Sequence, residues 1–492
     1  MTTSADLPIS RATVGLRSER GPVLLAVMLG TGLVAIDATI LAAAVPAVVR
    51  DLGGLSQFPW LFSVYVLAQA VSIPVYAKVA DLFGRKSVMM LGIVLFIVGS
   101  LLCGVAWSMG ALIAFRAVQG LGAGAIQPIG MTIVGDIYSV AERATVQGYL
   151  ASVWAISSLV GPTLGGVFAD YLSWRWIFLV NLPLGLLAAW VLRRGFHESP
   201  RATVGERPRI DVAGTVLLLT GTVALLVALL EGGILWAWLS VPSIALFLGS
   251  VLLLTAFVLV ERRAPEPVLP LWVFRHRVVG ATMLVGLVVG VLLLGLTSYV
   301  PLYAQGVLGT GAVVAGFALA AMTIGWPIAA SASGRLYLRL GFRPTMLIGS
   351  TVAVAGAALL LTVGEQSSVV HLAAPCFVMG LGFGLVASPS IVAAQAAVGW
   401  GRRGVATGAN IFARSIGSAI GVAAFGAIAN GVVRSRLGEE PSNLEDLSPD
   451  VLGPALHSVF LASFIVALAL LVATLAMPRR VEEVLDAEVV AP

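Results

Sequence analysis

The chain has 492 residues, of which 59% are hydrophobic and only 11% are charged, and its formal net charge at pH 7 is +5. Its mean hydropathy is +1.01, whereas an ordinary soluble domain carries roughly 25% charged residues. This composition excludes a soluble globular protein. No segment alternates polar and apolar residues over the roughly 10-residue units of a membrane strand, so we expect an all-α membrane protein.

Apolar stretches of about 20 residues, long enough to cross a bilayer as a helix, recur along the whole chain. The first follows Arg11, Arg17 and Arg20 and runs for about two dozen residues, which is too long for a signal-peptide core. We therefore expect it to be retained as a span. The predicted spans are 22–45, 58–77, 88–107, 110–135, 148–169, 176–192, 212–230, 240–260, 278–298, 313–332, 345–363, 371–395, 405–432 and 455–477.

The distribution of lysine and arginine predicts the orientation of these fourteen spans. Of the 29 basic residues, 23 fall on the side of the two chain ends, four fall on the opposite side, and Arg116 and Arg414 fall within spans. Basic residues concentrate in cytoplasmic loops, so both ends are predicted to lie in the cytoplasm. Arginine outnumbers lysine 27 to 2, which is typical of GC-rich bacteria, and we expect a bacterial cell membrane.

The sequence contains an internal repeat. Gly120–Gly124 in the fourth span recurs as Gly380–Gly384 in the twelfth, and Arg143–Gly148 matches Arg403–Gly408 at the same offset of 260 residues. The repeat predicts two six-helix halves in the same orientation, an arrangement that builds transporters with a central site. The predicted regions are an N-terminal tail, a first bundle, a linker with an inserted two-helix hairpin, a second bundle and a C-terminal tail, at 1–21, 22–192, 193–277, 278–477 and 478–492.

Four motifs resemble those of the major facilitator superfamily. Ala77–Lys86 is similar to its loop signature between helices 2 and 3, with Ala77 in place of the usual leading glycine. Arg116–Gly122 resembles its fourth-helix motif, Gly161–Gly166 its fifth-helix antiporter motif, and Ile36–Thr39 its first-helix signature. Together with the inserted hairpin, they resemble the fourteen-helix drug:proton antiporters. The resemblance implies the major facilitator fold and multidrug efflux, with a contribution to antibiotic resistance.

Asp37 is the only acid deep inside a predicted span, where such a residue costs about 2.5–3.5 kcal/mol on insertion scales. This placement suits a group that takes up and releases a proton, although a polar packing contact is the alternative. Arg116 is its natural partner, because both lie roughly 9–12 Å below the outer surface when counted along their helices. The resemblance implies a proton-relay role for Arg116. The alternative is a fixed arginine bonded to carbonyls.

The resemblance also assigns a cytoplasmic gate. In this loop the internal repeat has an offset of 257 residues, since Gly84 matches Gly341. The counterpart of Asp81 is then Leu338, so this acid belongs to the first half alone. By resemblance, Asp81 would contact the N-terminus of a second-half helix near Val405, where the helix dipole favours an anion. Simple anchoring at the lipid headgroups is the alternative. The gate residues are Asp81, Gly84, Arg85 and Lys86.

The fifth helix carries a stripe of small residues. Ser157, Gly161 and Gly165 recur at every fourth position, which lets another helix approach closely. Pro162 removes an internal hydrogen bond and favours a bend. Packing alone explains the stripe, whereas the resemblance implies a hinge that sets antiport. The hinge residues are Gly161, Pro162, Gly165 and Gly166.

Polar and aromatic residues within the spans are candidates for a substrate cavity, namely Thr39, Tyr65, Gln119, Trp154 and Arg414. For Arg414, bonding to carbonyls in a kinked segment is as good an interpretation as contact with an anion or a substrate. No histidine or cysteine pattern has metal-ligand spacing, so we expect no metal and no cofactor.

Taken together, the sequence predicts a monomeric, proton-coupled antiporter that exports small amphiphilic compounds by alternating access, with the bilayer and protons as its partners and no nucleic acid. The chain has no Gly-Lys-Ser/Thr, Gly-x-Ser-x-Gly or His-Glu-x-x-His motif, so neither a nucleotide-driven pump nor an enzyme is expected. Asp136 is a further acid able to share proton transfer. The alternatives are a dedicated exporter of a lipid, siderophore or metabolite, and a non-transporting sensor or scaffold.

Overall fold

The computed structural model describes residues 14–53, 57, 60–198, 211–233, 235–437 and 448–482. Long helices dominate this part of the chain and lie close to the predicted spans. We label them α1 (Gly21–Leu52), α2 (Trp60–Phe83), α3 (Arg85–Gly104), α4 (Met109–Ile137), α5 (Val140–Tyr171), α6 (Trp176–Leu179), α7 (Asn181–Gly195), α8 (Val212–Glu231), α9 (Val241–Glu261), α10 (Trp272–Arg275), α11 (Arg277–Gly306), α12 (Ala312–Leu340), α13 (Phe342–Leu360), α14 (Val369–Ala396), α15 (Arg403–Leu437) and α16 (Pro449–Leu475).

The described residues contain fourteen segments that are long and apolar enough to cross a membrane, so the predicted number of spans is confirmed. Most helices extend past the predicted ends, because a helix continues beyond the apolar stretch, whereas α3, α13 and α16 end two or three residues earlier than predicted. For example, α1 runs to Leu52, seven residues beyond its predicted end. The sixth span consists of the short helix α6 and of α7, which meet at Val180.

The chain divides into two compact units. The first contains the described residues from 14 to 72 and from 76 to 198, together with the six residues Gly399–Gly404. The second contains Ile73–Val75 and the described residues of 211–398 and 405–482, including the hairpin formed by α8 and α9. Within the first unit α1 packs against α5 and α7, and α3 packs against α4. Within the second unit α14 packs against α12 and α13, and α16 packs against α11 and α13.

The repeated glycines make the same kind of contact in each unit. In the first unit Gly120 and Gly122 of α4 lie directly against the backbones of α2 and α3. In the second unit Gly380 and Gly382 of α14 lie in the same way against α12 and α13. A side chain at any of these positions would collide with backbone atoms of the neighbouring helix, so the repeat in the sequence corresponds to backbone-to-backbone helix packing.

A polar clamp closes the end of the first unit where α1 terminates. The Trp174 indole N–H and the Arg175 guanidinium donate hydrogen bonds to Asp51 Oδ2 at 2.9 and 2.7 Å. These two donors hold the pKa of Asp51 below its usual range. Arg175 also donates to the carbonyl of Ala106 at 3.1 Å, so the clamp joins the end of α1 to the α3–α4 loop. Its charged groups remain partly exposed.

The glycine packing can be tested with two matched substitutions in α4. Gly122→Ala places a methyl group against the α3 backbone, whereas Gly110→Ala places it in open space. We expect Gly122→Ala to lower the free energy of unfolding by about 1–3 kcal/mol through overpacking. Gly110→Ala should leave it unchanged or raise it slightly, because alanine is the better helix former. Thermal unfolding in detergent measures both, and equal effects at the two positions would contradict the packing model.

Candidate functional site

The first unit buries an ion pair between α1 and α4. Asp37 and Arg116 are each only 1% exposed, and Arg116 Nη1 lies 2.6 Å from Asp37 Oδ2. Two charges removed from water are costly unless each is paired and hydrogen-bonded. The structure therefore brings together the two residues that the sequence proposed for proton coupling, and it surrounds them with further polar groups.

The second carboxylate oxygen of Asp37 also has partners. Gln119 Nε2 donates to Asp37 Oδ1 at 2.7 Å, and Asn181 Nδ2 donates to the same oxygen at 3.1 Å. Both amides donate in addition to Ser100 Oγ, at 2.8 and 3.3 Å. With Arg116 on the other oxygen, Asp37 accepts three hydrogen bonds from side chains.

Arg116 is held by groups other than the acid. It donates to Gln119 Oε1 at 2.7 Å and to the carbonyl of Leu61 at 3.2 Å. Its guanidinium lies 4.1 Å from the centre of the Tyr65 ring, a geometry in which the aromatic face attracts a cation. The arginine is thereby fixed by α1, α2 and α4 together, and it cannot leave Asp37 without losing several contacts.

Two buried polar atoms beside this network have no hydrogen-bond partner among the residues that the structure describes. They are the hydroxyl of Tyr65 and Oδ1 of Asn181. Every side-chain group that now contacts the Asp37 carboxylate is a donor. Protonated Asp37 would instead need an acceptor for its O–H. Rotation of the Asn181 amide would exchange the positions of its Nδ2 and Oδ1 atoms, so the network holds a hydrogen-bond acceptor beside the carboxylate as well as donors.

Sequence reasoning did not identify Asn181 and Ser100. Asn181 is a fully buried amide at the start of a membrane helix, and such a residue usually marks a polar contact across helices. The sequence did show an asparagine within the predicted span 176–192, and this could have identified Asn181. Serine is too common in membrane helices for Ser100 to stand out. Gln119 and Tyr65, proposed as cavity residues, are both buried against Arg116. Trp154 and Arg414, also proposed for the cavity, are half-buried.

The small-residue stripe of α5 packs against α1 close to Asp37. Gly161 touches Thr39, whose hydroxyl would collide with any side chain at this position. The same hydroxyl donates to the carbonyl of Ser157 at 3.0 Å. Gly165 is buried, whereas Gly166 faces open space, and the Pro162 side chain lies outside the described part of the structure. The stripe therefore contacts the helix that carries the buried acid.

A second charged cluster lies in the first unit where α2 turns into α3. Gly84 makes this turn with φ of 99°, a conformation that favours glycine. Arg85 Nη2 lies 2.8 Å from Asp81 Oδ1, and Arg85 Nε lies 2.9 Å from Asp136 Oδ2. The Arg85 guanidinium also lies 3.8 Å from the centre of the Trp400 ring. Asp136, noted in the sequence as a further acid, is therefore part of this cluster.

The cluster holds the segment Gly399–Gly404. Gly404 N donates to Asp81 Oδ1 at 3.2 Å, and Gly404 lies in the first turn of α15, so Asp81 does contact a helix N-terminus. Arg403 Nη1 lies 3.6 Å from Asp136 Oδ1. The cluster therefore contains two acids, on α2 and α4, and two arginines, on α3 and α15, and each acid lies beside an arginine.

Lys86 makes different contacts from the rest of the proposed gate. Its ammonium donates to the carbonyls of Arg193 and Phe196 at the end of α7. Glu198, which the sequence did not indicate, accepts hydrogen bonds from the backbone N–H groups of Arg85 at 2.9 Å and Lys86 at 3.3 Å. An acid at a helix N-terminus satisfies amides that have no partner within the helix. Glu198 and Lys86 therefore join the end of α7 to the start of α3.

Comparison with known proteins gives consistent results. The family model for the Major Facilitator Superfamily matches residues 27–422. The multidrug transporter protein MdtP of Bacillus subtilis is 34% identical over 416 residues, which cover 85% of this chain and 76% of that protein. Multidrug resistance protein 3 of the same organism is 34% identical over 423 residues, covering 86% and 82%. The crystal structure of the human organic anion transporter MFSD10 (TETRAN) superposes with a TM-score of 0.63 at 15% sequence identity. The superposition covers 91% of this chain and 99% of that one, and it shows that the two proteins share a fold.

The buried ion pair generates a double-mutant test. Arg116→Met leaves the Asp37 carboxylate buried without its counter-charge and should lower the free energy of unfolding by about 3–5 kcal/mol. Adding Asp37→Asn removes the uncompensated charge, so the double variant should be more stable than Arg116→Met alone. Chemical unfolding in detergent measures the coupling. Additive losses in the double variant would show that the two side chains do not interact.

The two charged clusters should differ in their contribution to stability. The side chain of Asp136 is 7% exposed among arginines, whereas that of Asp51 is 48% exposed in its pair with Arg175. Asp136→Asn should therefore cost about 3–5 kcal/mol of unfolding free energy, while Asp51→Asn should cost much less, because an exposed pair is screened by water. Thermal unfolding of the two variants makes the comparison, and a larger loss for Asp51→Asn would contradict the assignment of burial.

Proposed function

The chain belongs to the Major Facilitator Superfamily, and we propose that it is a proton-coupled antiporter that exports drugs and other amphiphilic compounds across the cytoplasmic membrane by alternating access. Its family consists of transporters, and the chain itself is a multi-pass membrane protein. The proposal includes a bacterial cell membrane with both chain ends in the cytoplasm, as the distribution of basic residues favours. The names of the two Bacillus relatives support export of drugs.

The observation that carries the proton coupling is the environment of Asp37. It is a fully buried acid far from the ends of a membrane helix, and it is bound to Arg116 and two amides. Protonation of Asp37 neutralises one member of an ion pair and leaves the arginine charge uncompensated. Binding of one proton therefore changes the electrostatic balance of the whole first unit, which is the property that a coupling site requires.

Two neighbouring features support a link between protonation and movement. The antiporter stripe of α5 touches Thr39, two residues from Asp37 on the same helix. A change at Asp37 that shifts α1 must therefore also shift its packing on α5. At the α2–α3 turn, the cluster of Asp81, Arg85 and Asp136 holds Gly399–Gly404. In the proposed cycle this cluster is the cytoplasmic gate, and its ion pairs separate and reform.

Transport by the purified protein tests the proposal. In proteoliposomes with an imposed pH gradient, we expect the wild type to move a fluorescent lipophilic cation and Asp37→Asn to lose gradient-driven movement. The asparagine keeps the shape of the side chain but cannot exchange a proton. Asp51→Asn is the matched control, because it makes the same chemical change at an exposed carboxylate outside the network, and it should transport like the wild type.

Each outcome has a definite meaning. Gradient-driven movement that survives in Asp37→Asn would place the proton site elsewhere, with Asp136 as the next residue to test. No movement by the wild type for any of several amphiphilic compounds, cationic or acidic, would contradict drug export. In that case a dedicated exporter of a lipid, siderophore or metabolite would become the better hypothesis.

A further inference from the structure

Arg414 lies in the middle part of α15, eleven residues after its first residue, which is about 16 Å along the helix axis. The hydrocarbon core is about 30 Å thick, so this depth is near the centre of the bilayer. The side chain is half-buried. Among the described residues it forms no ion pair, hydrogen bond or ring contact.

The fully buried arginines that the structure describes are all compensated. Arg85 and Arg116 pair with acids at 3 Å or less, and Arg403 lies 3.6 Å from Asp136. Arg143 donates to the carbonyls of Tyr138 and Gly135. A charge in the membrane interior is expensive when it has no partner. Arg414 differs from the four fully buried arginines, because no described side chain or carbonyl compensates its charge.

The described residues of the second unit include no acid at the depth of Arg414. Its described acids all lie at helix ends or in loops, and they are Asp211, Glu231, Glu261, Glu266, Glu365, Asp450 and Glu482. The fold does not demand an arginine at this place either. At the repeat offset of 260 residues the corresponding position in the first unit is Trp154, which is also half-buried. The packing that the two units share therefore does not require an arginine at this position, and the positive charge is a feature of α15 alone.

The backbone around Arg414 is rigidly held. Gly290 of α11 lies against the Arg414 carbonyl, and Gly417 lies against the backbone of α11 one turn later. Asn410, one turn earlier, donates to the carbonyl of Thr282 at 2.8 Å and to Ser390 Oγ at 3.0 Å. The polar neighbour is therefore satisfied within the protein, and Arg414 extends from a fixed helix with its donors available.

We propose that Arg414 binds the carboxylate of a transported compound, so that the substrates of this exporter include amphiphiles that carry an acidic group. This inference rests on the proposed export function and names the substrate class. A guanidinium matches a carboxylate with two parallel hydrogen bonds. Near the bilayer centre such a charge-assisted contact is strong, because little water competes for it.

Binding to the purified protein in detergent tests the inference without requiring transport. The probes are a xanthene dye with a free carboxylate and the methyl ester of the same dye, which differ in that one group. We expect the wild type to bind the carboxylate form about tenfold more tightly. Arg414→Gln should bind both forms equally, with unchanged affinity for the ester. Arg414→Lys keeps the charge without the planar fork, and it should retain part of the preference.

Arg339→Gln is the matched control, because it removes the same charge from an exposed position near the end of α12, and its preference should equal that of the wild type. Equal binding of both dyes by the wild type, or a preference that persists in Arg414→Gln, would overturn the inference. If Arg414→Gln does not fold, the wild-type comparison and Arg414→Lys still decide. Proton-driven efflux of the two dyes from proteoliposomes is measured separately. If the wild type transports neither dye but keeps its binding preference for the carboxylate form, the export proposal is wrong and the carboxylate site remains supported.

Discussion

The energetic cost of charge inside the membrane governs the arrangement of the first unit. Asp37 and Arg116 can remain there only because α2, α4 and α7 each contribute a partner to one of them. Ser100 of α3 in turn accepts hydrogen bonds from two of these partners, Gln119 and Asn181. Removal of any one helix would leave a donor or an acceptor unsatisfied in a low dielectric, where that loss is most expensive. The ion pair therefore fixes the relative positions of the helices around it, and it makes their arrangement sensitive to the charge on a single carboxyl group.

The two units share a packing plan and differ in how they treat charge. Both use repeated glycines to bring helix backbones into contact. The first unit compensates every buried arginine internally, whereas Arg414 in the second has no such compensation among the described residues. In the proposed mechanism this difference separates two tasks. One unit binds the proton in a closed network, and the other keeps a cation for the substrate.

The sequence predicted the features that depend on hydrophobicity, length and periodicity. Fourteen spans and the superfamily are confirmed, because apolar stretches of membrane length and the repeated motifs are visible without coordinates. Counting residues from the helix ends was enough to place Asp37 opposite Arg116, even though α1 continues to Leu52. The partnership of Glu198 with the start of α3 was not predictable, because residues 85 and 198 meet only through tertiary packing. The roles of the gate, hinge and cavity residues stay predictions.

Within the first unit, one helix connects the Asp37–Arg116 ion pair to the charged cluster at the α2–α3 turn. Arg116 and Asp136 lie on α4, twenty residues and thus about 30 Å apart. Gly120 and Gly122 fix α4 against the backbones of α2 and α3, and those two helices carry Asp81 and Arg85. A shift of α4 therefore cannot leave its neighbours in place. In the proposed cycle, protonation of Asp37 weakens the hold on Arg116, and the resulting shift of α4 changes the contacts of Asp136 in the cluster that binds Gly399–Gly404.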